Sequence, residues 1–176
     1  FINKCNNVTV QGLSFRNSPA WNLQPYFSRD LKFLNISVTA PANSPNTDGF
    51  DPESCRHVAM AGVHFSVGDD CIAVKSGKIY MGQKYHTPCE DSDISHCLME
   101  RGHGGLTTGS ECAGGIINAR IDTIRYGARD EKAGCCGSVL NLFEERYPHK
   151  PAIYGGVKKD ECAEVLRSFF QKVRTK

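Results

Sequence analysis

The chain has 176 residues, 21 Lys plus Arg against 19 Asp plus Glu, a net charge of +2, and nine cysteines. That length suits one domain with a full core. Charges of both signs are interspersed, which leaves no basic footprint for nucleic acid or an anionic surface, and no apolar run approaches the roughly 18 residues of a membrane span.

Taken in chain order, the first segment with strand character is NNVTVQGLSF (6–15), where Val8, Val10, Leu13 and Phe15 alternate with other residues and shift phase by one between Val10 and Leu13. SRDLKFLNISV (28–38) repeats the pattern with Leu31, Phe33, Ile36 and Val38, and CRHVAMAGVHF (55–65) with Val58, Met60, Val63 and Phe65. DISHCLM (93–99) is a weaker copy carrying Ile94, Cys97 and Met99, and NARIDTIRY (118–126) supplies Ala119, Ile121, Ile124 and Tyr126. Alternation marks strands with one buried face. Units that cannot bury their own apolar face must stack on neighbours. The repeat therefore predicts an all-β fold, a right-handed parallel β-helix over 1–156, apparently truncated. An antiparallel sandwich would instead place strands every 8–12 residues or so, joined by tight turns.

No sustained helical period precedes residue 157. Beyond it, Cys162, Val165, Leu166, Phe169, Phe170 and Val173 follow helical spacing. That predicts an amphipathic helix within 157–176, with Asp160 as N-cap and Lys and Arg near its end. Open β-helix ends need covering, so this helix is expected to cap the last coil. The chain starts at Phe1 without a charged and apolar leader, so no targeting signal is legible and it reads as a fragment or processed piece. Its cysteines include no C-x-x-C pair, only the adjacent Cys135-Cys136. Zinc wants ligands paired at short spacings, so the cysteines are read as small buried apolar residues.

Residues 66–77, SVGDDCIAVKSG, set Asp69 and Asp70 side by side after a glycine. Like charges this close are costly unless something uses them. In a β-helix, equal offsets in successive coils stack about 4.8 Å apart. Asp69 follows Phe65 by four residues and His103 follows Met99 by four, so stacking sets the aspartate pair and the imidazole on one wall. Asp48, in PNTDGFDPESC, leads into the same coil. Glycoside hydrolysis needs a protonated acid at the leaving oxygen and a carboxylate that activates water. Crowded carboxyls supply both, because repulsion raises the pKa of one. An acid–base separation of roughly 6.5–9.5 Å would give inversion. Two other readings stand beside this one. Asp-Asp after Gly also suits a turn bonded to its own backbone, and Asp48, Asp51, Asp69 and Asp70 offer hard oxygens for calcium, as a metal-dependent lyase would use them.

PNTDGFD, GDDCIAVKSGK and RGHGGLTTGSE, preceded by NSPAWNLQP (17–25), resemble the signature blocks of the family 28 glycoside hydrolases, the polygalacturonases and their relatives, over roughly residues 5–126. The resemblance implies a right-handed parallel β-helix that cleaves α-1,4-linked galacturonan in pectin with inversion, with no cofactor and no metal. It implies Asp69 as general acid, Asp48 and Asp70 holding and activating water, and His103 supporting the acid or the sugar. The implied partner is an acidic polysaccharide, with no nucleic acid and no membrane, for a monomer that is secreted or periplasmic. The stretch around KSGK looks closer to the exo-acting branch.

Lys75 is a candidate contact for an acidic sugar. The family's Arg-Ile-Lys block, whose cations hold the substrate carboxylate, resembles Arg120-Ile121-Asp122, which makes Arg120 the other candidate. The repeat, however, places Arg120 mid-strand and moves the block's place to DEKAGCCGS (130–138), where Gly134-Cys135-Cys136 stand. Arg125, Arg129 and Lys132 are nearby substitutes. Losing a bidentate arginine would weaken the hold on a uronate carboxylate. The alternative is therefore a catalytically impaired β-helix that only binds acidic polysaccharide.

Overall fold

The computed structural model describes residues 1–121, 123–126 and 152–174, with the backbone alone at 118–121, 123–126, 152, 153, 165, 166 and 169–174. These residues form two compact units, Phe1–Arg120 and Ile121–Lys176.

The first unit is a parallel β-helix, right-handed as the crossover rule for parallel strands dictates. One face is a five-stranded sheet in the order β13-β10-β7-β5-β2, built from β2 (Asn6–Gln11), β5 (Arg29–Leu34), β7 (Arg56–Ala61), β10 (Cys89–Ser95) and β13 (Ile116–Ile121). The next face stacks β3 (Ser14–Arg16), β6 (Ser37–Thr39), β8 (His64–Ser66) and β11 (Leu98–Arg101). Register follows the repeat: Val8 pairs with Leu31, Leu31 with Val58, Val10 with Phe33 and Phe33 with Met60. On the second face Phe15 pairs with Val38, Val38 with Phe65 and Phe65 with Met99. The phase shift inside each copy is one left-handed residue between the two strands. Gly12, Asn35, Gly62 and His96 occupy that place at φ 67°, 50°, 67° and 52°. It turns the chain through a corner while returning the apolar set to the inside, the work of a bulge-like residue.

The sequence pattern missed the third face. It is assembled from β1 (Ile2–Asn3) beside β4 (Pro25–Tyr26), the bridges Leu23 to Phe50 and Phe50 to Ile72, and β9 (Ile72–Val74) beside β12 (Leu106–Thr108). These strands are too short to alternate visibly. The interior is close-packed, with Leu31, Phe33, Phe50, Met60, Phe65 and Ile72 fully buried. The rings of Phe33 and Phe50 meet at 4.7 Å and 61°, an edge-on contact. Leu13, expected in the core, is 52% exposed because the first coil is at the edge of the stack among the described residues. Cys55, Cys71, Cys89 and Cys97 are buried, as the apolar reading expects. Burial pushes the thiols of Cys55 and Cys71 up to about 12, so both are inert at neutral pH.

A short helix, α1 (Ile79–Tyr85), lies before residue 157 without a sustained helical period to mark it. Seven residues are too few for a readable period. It ends at His86, whose left-handed backbone N–H donates to the Gly82 carbonyl.

In the second unit, β14 (Thr123–Tyr126) pairs in parallel with β15 (Ala152–Gly155), and α2 follows over Lys159–Arg174. Asp160, expected as the N-cap, lies with Glu161 inside the first turn, where both still complement the helix dipole. Arg129, Lys132, Cys135 and Cys136 lie outside the described residues. No described helix is long and apolar enough to cross a membrane.

Candidate active site

Asp48, Asp69 and Asp70 converge where the chain enters the third face. One carboxylate oxygen from each fits a set lying within 4.8 Å of one another. Two glycines permit this. A Cβ on Gly68, just before the aspartate pair, would strike the backbone oxygens of Ser44 and Pro41, and one on Gly49 would lie 2.7 Å from Phe65 Cε1. The 41–47 loop therefore sits directly on the turn that carries the pair. The Thr47 hydroxyl ties the two together, donating to the Ser44 carbonyl at 2.8 Å and accepting from the Gly68 N–H at 3.1 Å.

Asp69 is held from three sides. Its Oδ2 accepts the Asn46 N–H at 3.1 Å, its Oδ1 accepts the Asp70 N–H at 2.9 Å, and His103 Nδ1 stands 3.2 Å from the same Oδ1. The backbone N–H of His103 also donates to the Asp69 carbonyl at 2.9 Å, the layer-to-layer contact that equal offsets foretold. With Asp69 ionised, His103 must carry its proton on Nδ1, leaving Nε2 available. Asp70 accepts the Thr107 hydroxyl at 2.9 Å.

Asp48 is 5% exposed, and burial pushes its pKa up against the opposing effect of a hydrogen bond with Asp51. Asp51, two residues on from Gly49, is completely buried and also close to Lys75.

Lys75 does not stand where a substrate contact would. Its side chain is 4% exposed, with Nζ 3.5 Å from Asp51 Oδ1 and 3.3 Å from Glu111 Oε2. The same ammonium donates to the Gly109 carbonyl at 2.7 Å and lies 4.6 Å from the centre of the Trp21 ring. Burial disfavours its charge, but Asp51 and Glu111 outweigh that and raise its pKa. Arg120 lies in β13, and its side chain is outside the described residues. Sequence reasoning gave no role to Asn46, Thr107 or Glu111, and only a calcium-ligand option to Asp51. PNTDGFD carried a signal for Asn46 and Asp51, both inside the motif, while nothing local marked Glu111.

A groove of about 700 Å³ lies elsewhere, on the outer face of the five-stranded sheet beside Asp30, His57 and Asp91. It offers no carboxyl pair set up by burial, so chemistry and not concavity locates the site. The carboxylate spacing would also accommodate a cation, but an acidic cluster by itself identifies no metal.

Comparison with known proteins agrees with this geometry. The model of the glycosyl hydrolases family 28 matches residues 1–124. A probable polygalacturonase of Vitis vinifera is 35% identical over 119 residues, 67% of this chain and 24% of that protein. The crystal structure of a hyperthermoactive exopolygalacturonase from Thermotoga maritima superposes with a TM-score of 0.66 at 34% identity, covering 72% of this chain and 29% of the other. A relative of another kind is the tRNA-specific adenosine deaminase of Bacillus subtilis, 39% identical over 66 residues, 37% of this chain and 41% of that protein. The chain thus spans about a quarter of the length of the polygalacturonases it resembles. With a family match across more than two thirds of its residues, on a β-helix that brings the motif aspartates together, the chain belongs to the glycosyl hydrolases family 28.

Proposed function

We propose that the β-helix unit is the catalytic wall of a pectin-degrading glycoside hydrolase that acts on α-1,4-linked galacturonan. The observation that carries this reading is the convergence of Asp48, Asp69 and Asp70 within 4.8 Å, with His103 bonded to Asp69. In it, Asp69 donates the proton to the leaving oxygen, Asp48 and Asp70 hold and activate the attacking water, and His103 keeps Asp69 oriented. The nearest carboxylate oxygens are closer than the roughly 6.5–9.5 Å expected of inverting pairs. Inversion therefore rests on the family resemblance and on two carboxylates sharing one water, not on separation. The deciding experiment is reducing-end release from polygalacturonate with chelator present, alongside Asp69→Asn. Turnover that resists chelator, yields the inverted anomer by NMR and drops at least about 100-fold in the variant supports the reading. Chelator-sensitive release would favour the lyase. No release from a folded chain would leave a β-helix that only binds acidic polysaccharide.

We infer further that Ile121–Lys176 is of separate descent from the β-helix. Supporting this are the end of the family match at residue 124 and the change from stacked coils to a strand pair with a helix. Arg120 and Ile121 then lie at the junction of the two units, and this reading competes with that of α2 as a cap on the last coil. Zinc deaminases use H-x-E and P-C-x-x-C ligand motifs. The chain contains neither H-x-E nor C-x-x-C, so deamination is no part of this reading.

A further inference from the structure

Asp51 is the most enclosed carboxyl among the described residues, with no exposed surface at all. Neither of its oxygens accepts a hydrogen bond from a protein donor of good geometry. The nearest cation, Lys75 Nζ, is 3.5 Å from Oδ1, longer than a charge-assisted bond, and is divided between Asp51, Glu111 and the Gly109 carbonyl. An ionised carboxylate left this way is among the costliest arrangements in a protein interior. The Asp48 carboxyl is near enough for its charge to act on Asp51. Two ionised carboxylates repel, and a hydrogen bond forms between them only if one carries a proton. Asp48 keeps 5% exposure and Asp51 none, so the proton belongs to Asp51.

We propose that Asp51 is a positioning residue that remains a neutral carboxylic acid and donates a hydrogen bond to Asp48, fixing the direction of that carboxylate. Around it stand Asp48, Lys75 and, through Lys75, Glu111, while Asp69 acts on Asp48 from the far side. Glu111 then serves as the charged partner of Lys75. One ammonium facing two carboxyls is thus balanced by one negative charge and one retained proton. Burial, with Asp48 adding to it, lifts the Asp51 pKa to about 9. The inference rests on the proposed role of Asp48 only for its catalytic meaning.

The test needs no turnover. Carboxyl carbon NMR on the intact chain, titrated with pH and assigned with Asp48→Asn and Asp51→Asn, reads each group directly. One aspartate carboxyl should stay protonated through neutrality and vanish from the spectrum in Asp51→Asn. The Asp48 titration should survive in Asp51→Asn, whose amide still donates, and move to higher pH in Asp51→Leu. Should Asp51→Leu not fold, thermal unfolding of the wild type and Asp51→Asn decides. A folded pKa raised to about 9 gives stability that is complete below the unfolded value and declines as pH rises toward 9. Asn lacks that decline, so its melting temperature should gain on the wild type between about pH 5 and pH 8. Aspartates all ionised by about pH 6, or an Asn variant less stable by the same margin throughout, would make Asp51 an ionised partner of Lys75 and overturn the proposal. A chain inert toward polygalacturonate that still holds this proton would fail the functional reading and leave this one standing.

Discussion

Lys75 carries the sharpest lesson at the scale of single residues. Its position in the sequence, past the aspartate pair on a short strand, suits an outward-facing cation. Instead its ammonium is enclosed: Trp21 lies against it, Glu111 comes within 3.3 Å, and the Gly109 carbonyl accepts its hydrogen bond. Those partners lie 54, 36 and 34 residues away, beyond any local pattern. By contrast Asp69 and His103 were legible as neighbours because both sit at one offset from stacked core residues, Phe65 and Met99. Equal offset is information a repeat carries, and lids that fold over from elsewhere are not. A buried charge that loses its partner costs roughly 3–5 kcal/mol. Lys75→Met should therefore lower unfolding free energy by an amount in that range, measured by urea titration, because Glu111 keeps its charge without a cation. A change under about 1 kcal/mol would place Lys75 in the exposed class of ion pairs.

Among elements, the coil was legible and its third side was not. Val8, Leu31 and Val58 alternate cleanly with polar neighbours over six-residue strands, so period and face are both visible. Ile72–Val74 is buried at all three positions and too short to show a period. The turn that joins the second and third faces carries the site, and its geometry depends on Gly68. That glycine is required for close approach and not for backbone conformation. A methyl group there meets the Ser44 and Pro41 carbonyls, which belong to backbone and cannot swing aside. Overpacking of this kind typically costs 1–3 kcal/mol. Gly68→Ala should destabilise by about that much and should also displace the Asn46 N–H from Asp69, so turnover falls further than stability does. An alanine variant equal to the wild type in both melting temperature and reducing-end release would show that the 41–47 loop is not seated on this turn.

At the scale of the whole molecule, the two units differ in how they bury surface. The β-helix unit stacks coil on coil, and its core runs unbroken through Leu31, Phe33, Phe50, Phe65 and Ile72. The second unit has its own strand pair and a 16-residue helix whose polar first turn suits its dipole. If their descent is separate, nothing selected a shared core, and each should melt by its own cooperative transition. Calorimetry gives the comparison directly. Phe65→Ala removes a fully buried ring and should cost about 3–5 kcal/mol, lowering the transition of the β-helix unit. On that reading the transition of Ile121–Lys176 should stay within about a degree, since sites with no shared partners act independently. A single transition that moves as one body would mean that α2 and its strand pair unfold together with the coils, as a helical cap on the last coil would. That result would restore the reading of the tail as a cover for the open end and remove the case for separate descent.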